Sequence, residues 1–407
     1  MTTLTNKFPT FEANQVLTNA HLNQLFQHLD EQNRITRSSL IGVGIVCGFE
    51  LKVNGTTVTI SNGCGISSEG YLISEFTSID FVGYKNYTLP VELAYPTFKD
   101  SASPFTQYPL IELLAAGEPG AQVLTANILA NKAVVLFLEL KKDGLRNCSP
   151  NNCDDKGAEV TATVRPLLIN RVDLDKVIAK SSPAASTTEL ENNLLARLNL
   201  PDIALPRVDV LSTELKTSNS LIQAIRSALG ANLVLNLSNA FVAATEAFKP
   251  LLGDISFAMA QAKLNIINTE INSGNKITHI QNYYDFIDDL IKAYDELRWS
   301  GLDLLCRCNP ADALFPRHLM LGLTNPASVT NPQYYRNRFL ASPALTSCEE
   351  QTANLALLFK RVLRMIESFN SQPALHSFAD NVADKQIRIT PSKLGDIALS
   401  QKAIPYY

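Results

Sequence analysis

The sequence predicts an α+β protein in which an N-terminal helix and a mostly β domain precede a mainly α-helical domain. Three observations predict this fold class. Apolar residues recur at helical spacing from residue 19 to about residue 37, alternate with polar residues from 39 to about 170, and return to helical spacing beyond 208. The expected boundaries are 1–38 for the N-terminal helix, 39–180 for the β-rich domain, 181–208 for a linker, and 209–407 for the helical domain with an extended C-terminal tail.

The composition limits the classes of function. The 407 residues and a hydrophobic content of 46% allow two or three domains of about 150 residues, each with a real core. A net charge of −4 argues against nucleic-acid binding, which needs a basic face. Only 18% of residues are charged, below the roughly 25% of typical domains. Uncharged polar surfaces cost less to desolvate and are typical of proteins packed permanently against neighbours.

The first residues, MTTLTNKFPTFEANQ, contain neither an apolar core nor a small-residue cleavage site. They predict no signal peptide, so cytoplasmic synthesis is expected. No apolar run approaches the roughly 20 residues that span a bilayer, and no membrane span is predicted. The seven cysteines are an odd number and cytoplasmic thiols stay reduced, so no disulfide framework is expected.

The N-terminal helix is expected from Asn19 to about Arg37. Thr18 is a suitable N-cap, and Leu17 and Leu22 are spaced as a hydrophobic staple around it. The apolar stripe of this helix consists of Leu22, Leu25, Phe26 and Leu29. We expect the stripe to pack either on the β-unit that follows or on another copy of itself.

That β-unit is the segment IGVGIVCGFELKVNGTTVTISNGCGISSEGYLI, residues 41–73, which carries two cysteines and almost no charge. Asn54-Gly55 lies between two alternating runs and predicts a tight hairpin. The glycines are expected at strand ends and bends. Further strands are expected at Tyr71–Ile73, Ile79–Val82, Val134–Leu140 and Val160–Ile169.

Residues 181–208 are rich in Ser, Ala, Thr and Pro, which is typical of a linker. Helices are then expected at about 221–229, 232–247 and 256–273, and from Ile280 to Gly301. A last long helix is expected to begin at a capping box of Thr346 with Glu349.

Cysteines supply the candidate metal ligands. Cys148 and Cys153 in CSPNNCDDKG, with Cys306 and Cys308 in CRC, could together hold zinc through four thiolates. Against zinc, neither pair has the usual C-x2-C spacing. The alternatives are a loop with packed thiols, or a Cys148–Cys153 bridge if the protein leaves the cell. No metal and no cofactor is therefore predicted.

No catalytic constellation is apparent. His318 and Arg317 are expected to anchor a turn, because no motif marks a nucleophile such as Cys306 or Cys348 beside them. The carboxylate pairs Asp288-Asp289 and Asp295-Glu296 are expected on the solvent-exposed side of an amphipathic helix rather than across a glycosidase cleft. Phosphate-binding loops are missing as well. The sequence thus predicts a protein that is not an enzyme.

Aromatic residues cluster on the fourth helix of the C-terminal half. Core packing is expected for this cluster, and a cradle for a sugar or peptide is the alternative; its members are Tyr283, Tyr284, Phe286, Tyr294 and Trp299. Trp299 is expected at an interface, because indole suits half-buried contact surfaces. The predicted interface residues are therefore Leu22, Phe26, Leu29 and Trp299.

The run NQVLTNAHLNQLFQHLDEQNRITRSSLIGVGIVCGFEL resembles structural proteins of phage-tail-like contractile injection systems, and the β-unit resembles modules of phage baseplate and fibre proteins. Further similar stretches are CSPNNCDDKG, YDFIDDLIKAYDEL, CRCNPADALFPRHLMLG and ITPSKLGDIALSQKAIPYY. The resemblance implies a non-enzymatic component of the baseplate, fibre-attachment or cap region. Its partners would be further copies of itself and other subunits of a particle that is released from the cell, with the β-unit as a docking module. The alternatives are a carbohydrate- or surface-ligand-binding module, and a cysteine-dependent hydrolase or metalloprotein.

Overall fold

The computed structural model describes residues 7–90, 95–100, 106–146, 155–181, 199–208, 217–273, 280–302, 314–329, 331–370, 393–394 and 397–398. It confirms the predicted α+β class, with an N-terminal helix, a large mostly β region and a helical region. The chain divides into two compact units. The first comprises Met1–Leu195 with Asp303–Cys348, and the second comprises Ala196–Leu302 with Glu349–Tyr407.

Helix α1 (Asn19–Ile35) begins where the sequence predicts. The Thr18 hydroxyl accepts a hydrogen bond from the His21 amide at 3.3 Å and so caps the first turn. The helix ends two residues before the predicted end. A π-helical turn, Thr36–Ile41, then leads directly into the first strand.

The strands of the first unit form two sheets. They are β1 (Gly42–Gly48), β2 (Leu51–Asn54), β3 (Thr57–Ile60), β4 (Gly63–Ile66), β5 (Leu72–Glu75), β6 (Ile79–Tyr87), β7 (Leu110–Ala115), β8 (Gln122–Val123), β9 (Lys132–Arg146), β10 (Asp155–Asn170), β11 (His318–Leu323) and β12 (Leu340–Ala341). The smaller sheet has the order β12-β1-β4-β5. The larger has the order β11-β9-β10-β7-β6-β3-β2, with β8 paired to β6.

The predicted hairpin joins β2 and β3, but its turn lies one residue later than expected. Asn54 still pairs with Thr57, so the two loop residues are Gly55 and Thr56. Of these, only Gly55 has a positive φ, 62°. Glycine at the first central position is one of the two favoured solutions for a two-residue hairpin turn.

The core of the first unit lies around β9 and β10. Residues 133–139 of β9 are buried on both faces, as their apolar run predicts, so Val134 and Val135 are both enclosed. On one face, Val135, Phe137 and Leu167 pack with residues of helix α3 (Arg171–Ser181). A single turn of helix, α2 (Ala126–Leu129), precedes β9.

The predicted boundary at 209–407 is wrong, because part of that range returns to the first unit. Strand β11 pairs with β9 through Leu319 and Leu136, and β12 pairs with β1. A six-residue apolar strand has too little periodicity to be assigned locally, and its partner lies far earlier in the chain. Within the expected linker, residues 199–208 pack in the second unit, where Leu200 is buried, and residues 182–198 lie outside the described residues.

The second unit is helical. Its long helices are α4 (Ser218–Leu229), α5 (Leu233–Leu252), α6 (Ala258–Asn272), α7 (Ile280–Leu302) and α8 (Cys348–Ser368). Near the end of α7, a side chain at Gly301 would collide with the ring of Phe248 on α5. This close approach explains why glycine occurs inside the helix, one residue before its end. The chain also forms a short pair of strands, β13 (Lys393–Leu394) and β14 (Ile397–Ala398).

One helical stretch, Asn219–Leu252, contains an 18-residue segment with a mean hydropathy of 1.3, which is long and apolar enough for a bilayer-crossing helix. It comprises α4 and α5, and the apolar residues Leu237, Phe241 and Phe248 of α5 are completely buried. Phe241 packs edge-on against Tyr294 of α7 with ring centroids 5.2 Å apart. A core helix of a helical bundle has the same composition, so this stretch is weak evidence for a membrane span.

Candidate functional site

Helix α1 is fixed at its C-terminal end to the loop between β4 and β5. The Arg34 guanidinium donates to the Glu69 carbonyl at 3.5 Å and lies 5.0 Å from the ring centroid of Tyr71. The Arg37 guanidinium donates to the Gly70 carbonyl at 3.3 Å. These contacts are polar and cation–π contacts, and they involve none of the stripe residues Leu22, Phe26 and Leu29.

The segment preceding α1 folds back along another side of the helix. The ring of Phe8 stacks on His28 with centroids 4.7 Å apart, and the Gln24 amide donates to the Lys7 carbonyl at 3.1 Å. Glu31 is buried on the helix and accepts a hydrogen bond from Gln27 at 2.9 Å. Two sides of α1 are therefore occupied by the same chain.

Three of the four residues in the predicted apolar stripe of α1 remain exposed, whereas Leu25 is half-buried. Leu22, Phe26 and Leu29, at positions i, i+4 and i+7, have exposed fractions of 52%, 73% and 53%. Val16 and Leu17 extend the patch beyond the helix start and are also exposed. We call Val16, Leu17, Leu22, Phe26 and Leu29 the α1 stripe. Because these residues do not pack on the β-unit, the other expectation, packing on another copy of the chain, remains.

The flanks of the α1 stripe are nearly uncharged. Asn23 and Gln32 border it, and the Asp30 carboxylate is paired with Arg34 at 2.8 Å on the same helix. A second copy of the helix would therefore meet little like-charge repulsion. Neutral flanks favour self-association over binding to a strongly charged partner.

The fourth predicted interface residue, Trp299, belongs to the second unit. It lies near the end of α7 with an exposed fraction of 36%, and the Arg298 guanidinium lies 5.1 Å from its ring centroid. The rest of the aromatic cluster is mainly core, as predicted: Tyr283, Phe286 and Tyr294 are buried. These buried rings are not available to contact a sugar or peptide, which argues against the alternative of an aromatic cradle.

The cysteines proposed as zinc ligands, Cys148, Cys153, Cys306 and Cys308, lie outside the described residues. Among the described residues, no group of three or more potential ligands is close enough to hold a metal ion. Cys348, the first residue of α8, is disulfide-bonded. The expectation of fully reduced cysteines is therefore wrong at this position.

His318 does not anchor a turn; it begins strand β11 and is completely buried. Its Nδ1 lies 2.5 Å from the Tyr95 hydroxyl, and the Arg317 guanidinium lies 5.0 Å from the Tyr95 ring centroid. Burial lowers the pKa of His318 to about 3, so the imidazole is neutral at ordinary pH. The arrangement is that of a hydrogen-bonded core histidine.

The carboxylates of α7 are less exposed than the sequence suggested. Asp289 is buried, and burial raises the pKa of Asp295 to about 6 although Arg298 lies 3.1 Å away. Glu296 pairs with Arg361 of α8. The prediction that these carboxylates lie on the solvent-exposed side of α7 is wrong for Asp289, because the bundle encloses this part of the helix. Adjacent carboxylates with cationic partners on one helix do not form a glycosidase pair.

The larger sheet contains a buried ionic cluster that the sequence patterns did not predict. Glu112 of β7 and Glu139 of β9 are both buried, and Arg165 of β10 lies between them at 2.8 and 3.2 Å. The Tyr87 hydroxyl donates to Glu139, and Lys85 pairs with Glu112 at 3.1 Å. Single charged residues inside the apolar runs LIELLA, LFLEL and VRPLLI were the available clue.

The ionic cluster borders a cavity of about 240 Å³. Its walls combine the apolar residues Ile60, Phe81 and Leu136 with the charges of Glu112 and Arg165. Both carboxylates are already neutralised by cations within the cluster. We therefore assign the cluster to the stability of the sheet rather than to ligand chemistry.

No protein-family model and no curated protein matches the chain. The α1 stripe is thus identified as the candidate functional site from its exposure, geometry and charge alone.

Proposed function

We propose that this protein is a non-enzymatic assembly subunit whose α1 stripe packs against further copies of the chain. The observation that carries the proposal is the exposure of Leu22, Phe26 and Leu29 on a helix that the same chain contacts on two other sides. Contiguous exposed apolar patches mark interaction sites. The contacts of Arg34 and Arg37 hold the helix in place before it meets a partner, which lowers the entropy lost on association.

The stripe supplies a limited amount of energy. Burying a half-exposed Leu or Phe yields about 1 kcal/mol, so two copies of the three helix residues yield roughly 6 kcal/mol. Association costs about 4–15 kcal/mol of lost translational and rotational freedom. The burial of two stripes alone is therefore barely enough to offset the cost of association. We expect the stripe to act in a trimer or ring with additional contacts.

The particle to which such a subunit would belong is proposed from the sequence resemblance. Phage-tail-like contractile injection systems are built of symmetric rings and trimers, which suits a self-associating helix attached to a β-unit. The protein would occupy the baseplate, fibre-attachment or cap region of such a particle. This assignment depends on the resemblance, whereas self-association depends on the α1 stripe.

Sedimentation analysis of the full chain over a range of concentrations tests self-association. We expect Phe26→Asp to dissociate the oligomer, because a carboxylate in the buried stripe is unpaired. Phe76→Asp is the matched control, since Phe76 is 90% exposed elsewhere in the first unit and its replacement leaves the oligomer intact. A wild-type chain that stays monomeric at high concentration contradicts the proposal, as does an oligomeric Phe26→Asp variant.

Purification of native particles tests the second part separately. Co-purification of the chain with sheath and tube proteins supports its place in a contractile particle. A chain that self-associates through α1 but never co-purifies with such proteins would retain the assembly role and lose the particle assignment.

A further inference from the structure

Two cysteines lie side by side on neighbouring strands of the smaller sheet. Strands β1 and β4 are antiparallel, and Cys47 of β1 is the register partner of Cys64 of β4. Their Sγ atoms lie 3.6 Å apart, and both thiols are free. Cys47 is exposed and Cys64 is half-buried, so a small molecule in solution reaches the pair from the side of Cys47.

The backbone around the pair is held firmly. The next register pair is Gly48 with Gly63, which places no side chain beside the sulfurs on that side. Gly48 and Phe49 both have positive φ, 64° and 53°. The Arg336 guanidinium donates to the carbonyls of both residues, at 3.0 and 2.8 Å. Cys47 therefore occupies a fixed strand end.

The geometry is compatible with a disulfide. Directly opposed residues of antiparallel strands have Cα atoms about 4.5–5.5 Å apart, which overlaps the roughly 4.4–6.8 Å range of disulfides. The sulfurs need to approach from 3.6 Å to about 2.05 Å. Rotation of the two side chains achieves most of this change without separating the strands.

We propose that Cys47 and Cys64 form a redox-active dithiol that a low-molecular-weight disulfide converts into a disulfide bond between β1 and β4. The Cys47 thiolate attacks one sulfur of the small disulfide, forming a mixed disulfide and releasing one thiolate. The Cys64 thiolate then attacks Cys47 Sγ and releases the second. The protein loses two protons and two electrons, and the small disulfide is reduced to two thiols.

The accessibilities of the two thiols fix the order of the steps. Burial and the hydrogen bond with Cys47 raise the pKa of Cys64, so Cys64 is the poorer initial nucleophile. Cys64 can instead attack the mixed disulfide, because that disulfide forms at Cys47, within reach of the Cys64 sulfur. The exposed Cys47 is thus the attacking residue and Cys64 the resolving residue.

The new bond would restrain the strand to which α1 is attached. Strand β1 follows α1 and its π-helical turn directly, and β1 also pairs with β12. Oxidation would thus fasten β1 to β4 at the end of β1 remote from α1. This modification is independent of the proposed assembly role, and neither proposal depends on the other.

Equilibration of the full chain in buffers of reduced and oxidised glutathione tests the proposal. Free thiols are then blocked, and peptides are mapped by mass spectrometry. We expect a Cys47–Cys64 cross-link that forms with oxidised glutathione and disappears with reduced glutathione. Cys64→Ser should accumulate the mixed disulfide at Cys47, whereas Cys47→Ser should leave Cys64 largely unmodified.

A trivalent phenylarsenical supplies a second measurement, because it binds two neighbouring thiols far more tightly than one. We expect the peptides of Cys47 and Cys64 to be protected together in the wild type and unprotected in either serine variant. The proposal is overturned if the two thiols stay reduced in oxidised glutathione, or if Cys64→Ser carries no mixed disulfide. Circular dichroism of both variants verifies that they are folded.

Discussion

The backbone of Arg34 in helix α1 leaves no space for a side chain at Gly70 in the loop between β4 and β5. Gly70 has a φ of 82°, and a Cβ there would overlap the Arg34 carbonyl oxygen. The same two segments are joined by the guanidinium of Arg34 above Tyr71. The attachment of the helix that carries the α1 stripe therefore depends on a glycine in the β-unit.

Gly70→Ala is expected to loosen α1 from the first unit. The substitution combines a strained positive φ, which costs of order 1–3 kcal/mol, with a collision against Arg34. Hydrogen exchange of the α1 amides should accelerate while exchange in β9 and β10 changes little. Gly117→Ala is the control for strain alone, because Gly117 has a φ of 85° and open space around it. Equal exchange in α1 of the two variants would contradict the proposed attachment.

Arg165→Met is expected to destabilise the first unit by about 3–5 kcal/mol. The substitution retains most of the volume of the side chain but leaves Glu139 buried without its cation. Denaturant unfolding followed by far-ultraviolet circular dichroism measures the effect. Trp299, the single tryptophan, lies in the second unit and reports that unit separately by fluorescence.

A double variant supplies the control for the ionic cluster. Arg165→Met combined with Glu139→Gln removes a cation and a buried anion together, so part of the lost stability should return. If Arg165→Met alone costs less than 1 kcal/mol, roughly the value of a surface ion pair, the cluster does not have the structural role that we assign to it.

His318 is expected to make the first unit less stable in acid. Its pKa in the folded protein is about 3, below the ordinary value of 6.5, because burial disfavours the charged imidazolium. Between these two values the unfolded chain binds a proton that the folded protein does not bind. The resulting loss of stability is about 1.4 kcal/mol for each pH unit below the ordinary value.

The measurement for this prediction is the free energy of unfolding of the first unit between pH 7 and pH 4. His318→Asn retains a polar side chain beside the Tyr95 hydroxyl but does not titrate, so its stability should depend less steeply on pH. Wild type and variant with the same pH dependence would show that His318 is not kept neutral by burial.

Sequence patterns determined the elements whose interactions are local. The Thr18 cap, the start of α1, the β2–β3 hairpin and the helix that begins at Ile280 each depend on residues close together in the chain. The exposure of the α1 stripe was not determined in this way, because the sequence allowed packing on the β-unit as well. The structure shows that the β-unit contacts Arg34 of α1 and Arg37 of the π-helical turn.

Tertiary structure alone decided which distant residues meet. Strand β11 joins β9 across most of the chain, which buries His318 beside Tyr95 and returns residues 314–348 to the first unit. Contacts between distant residues also bury Asp289 and pair Cys47 with Cys64. They likewise bring Arg165 between Glu112 and Glu139. Hydrophobic periodicity specifies which side of an element is apolar. It does not specify the partner, because pairing energy depends on the register and burial of strands and helices that are remote in sequence.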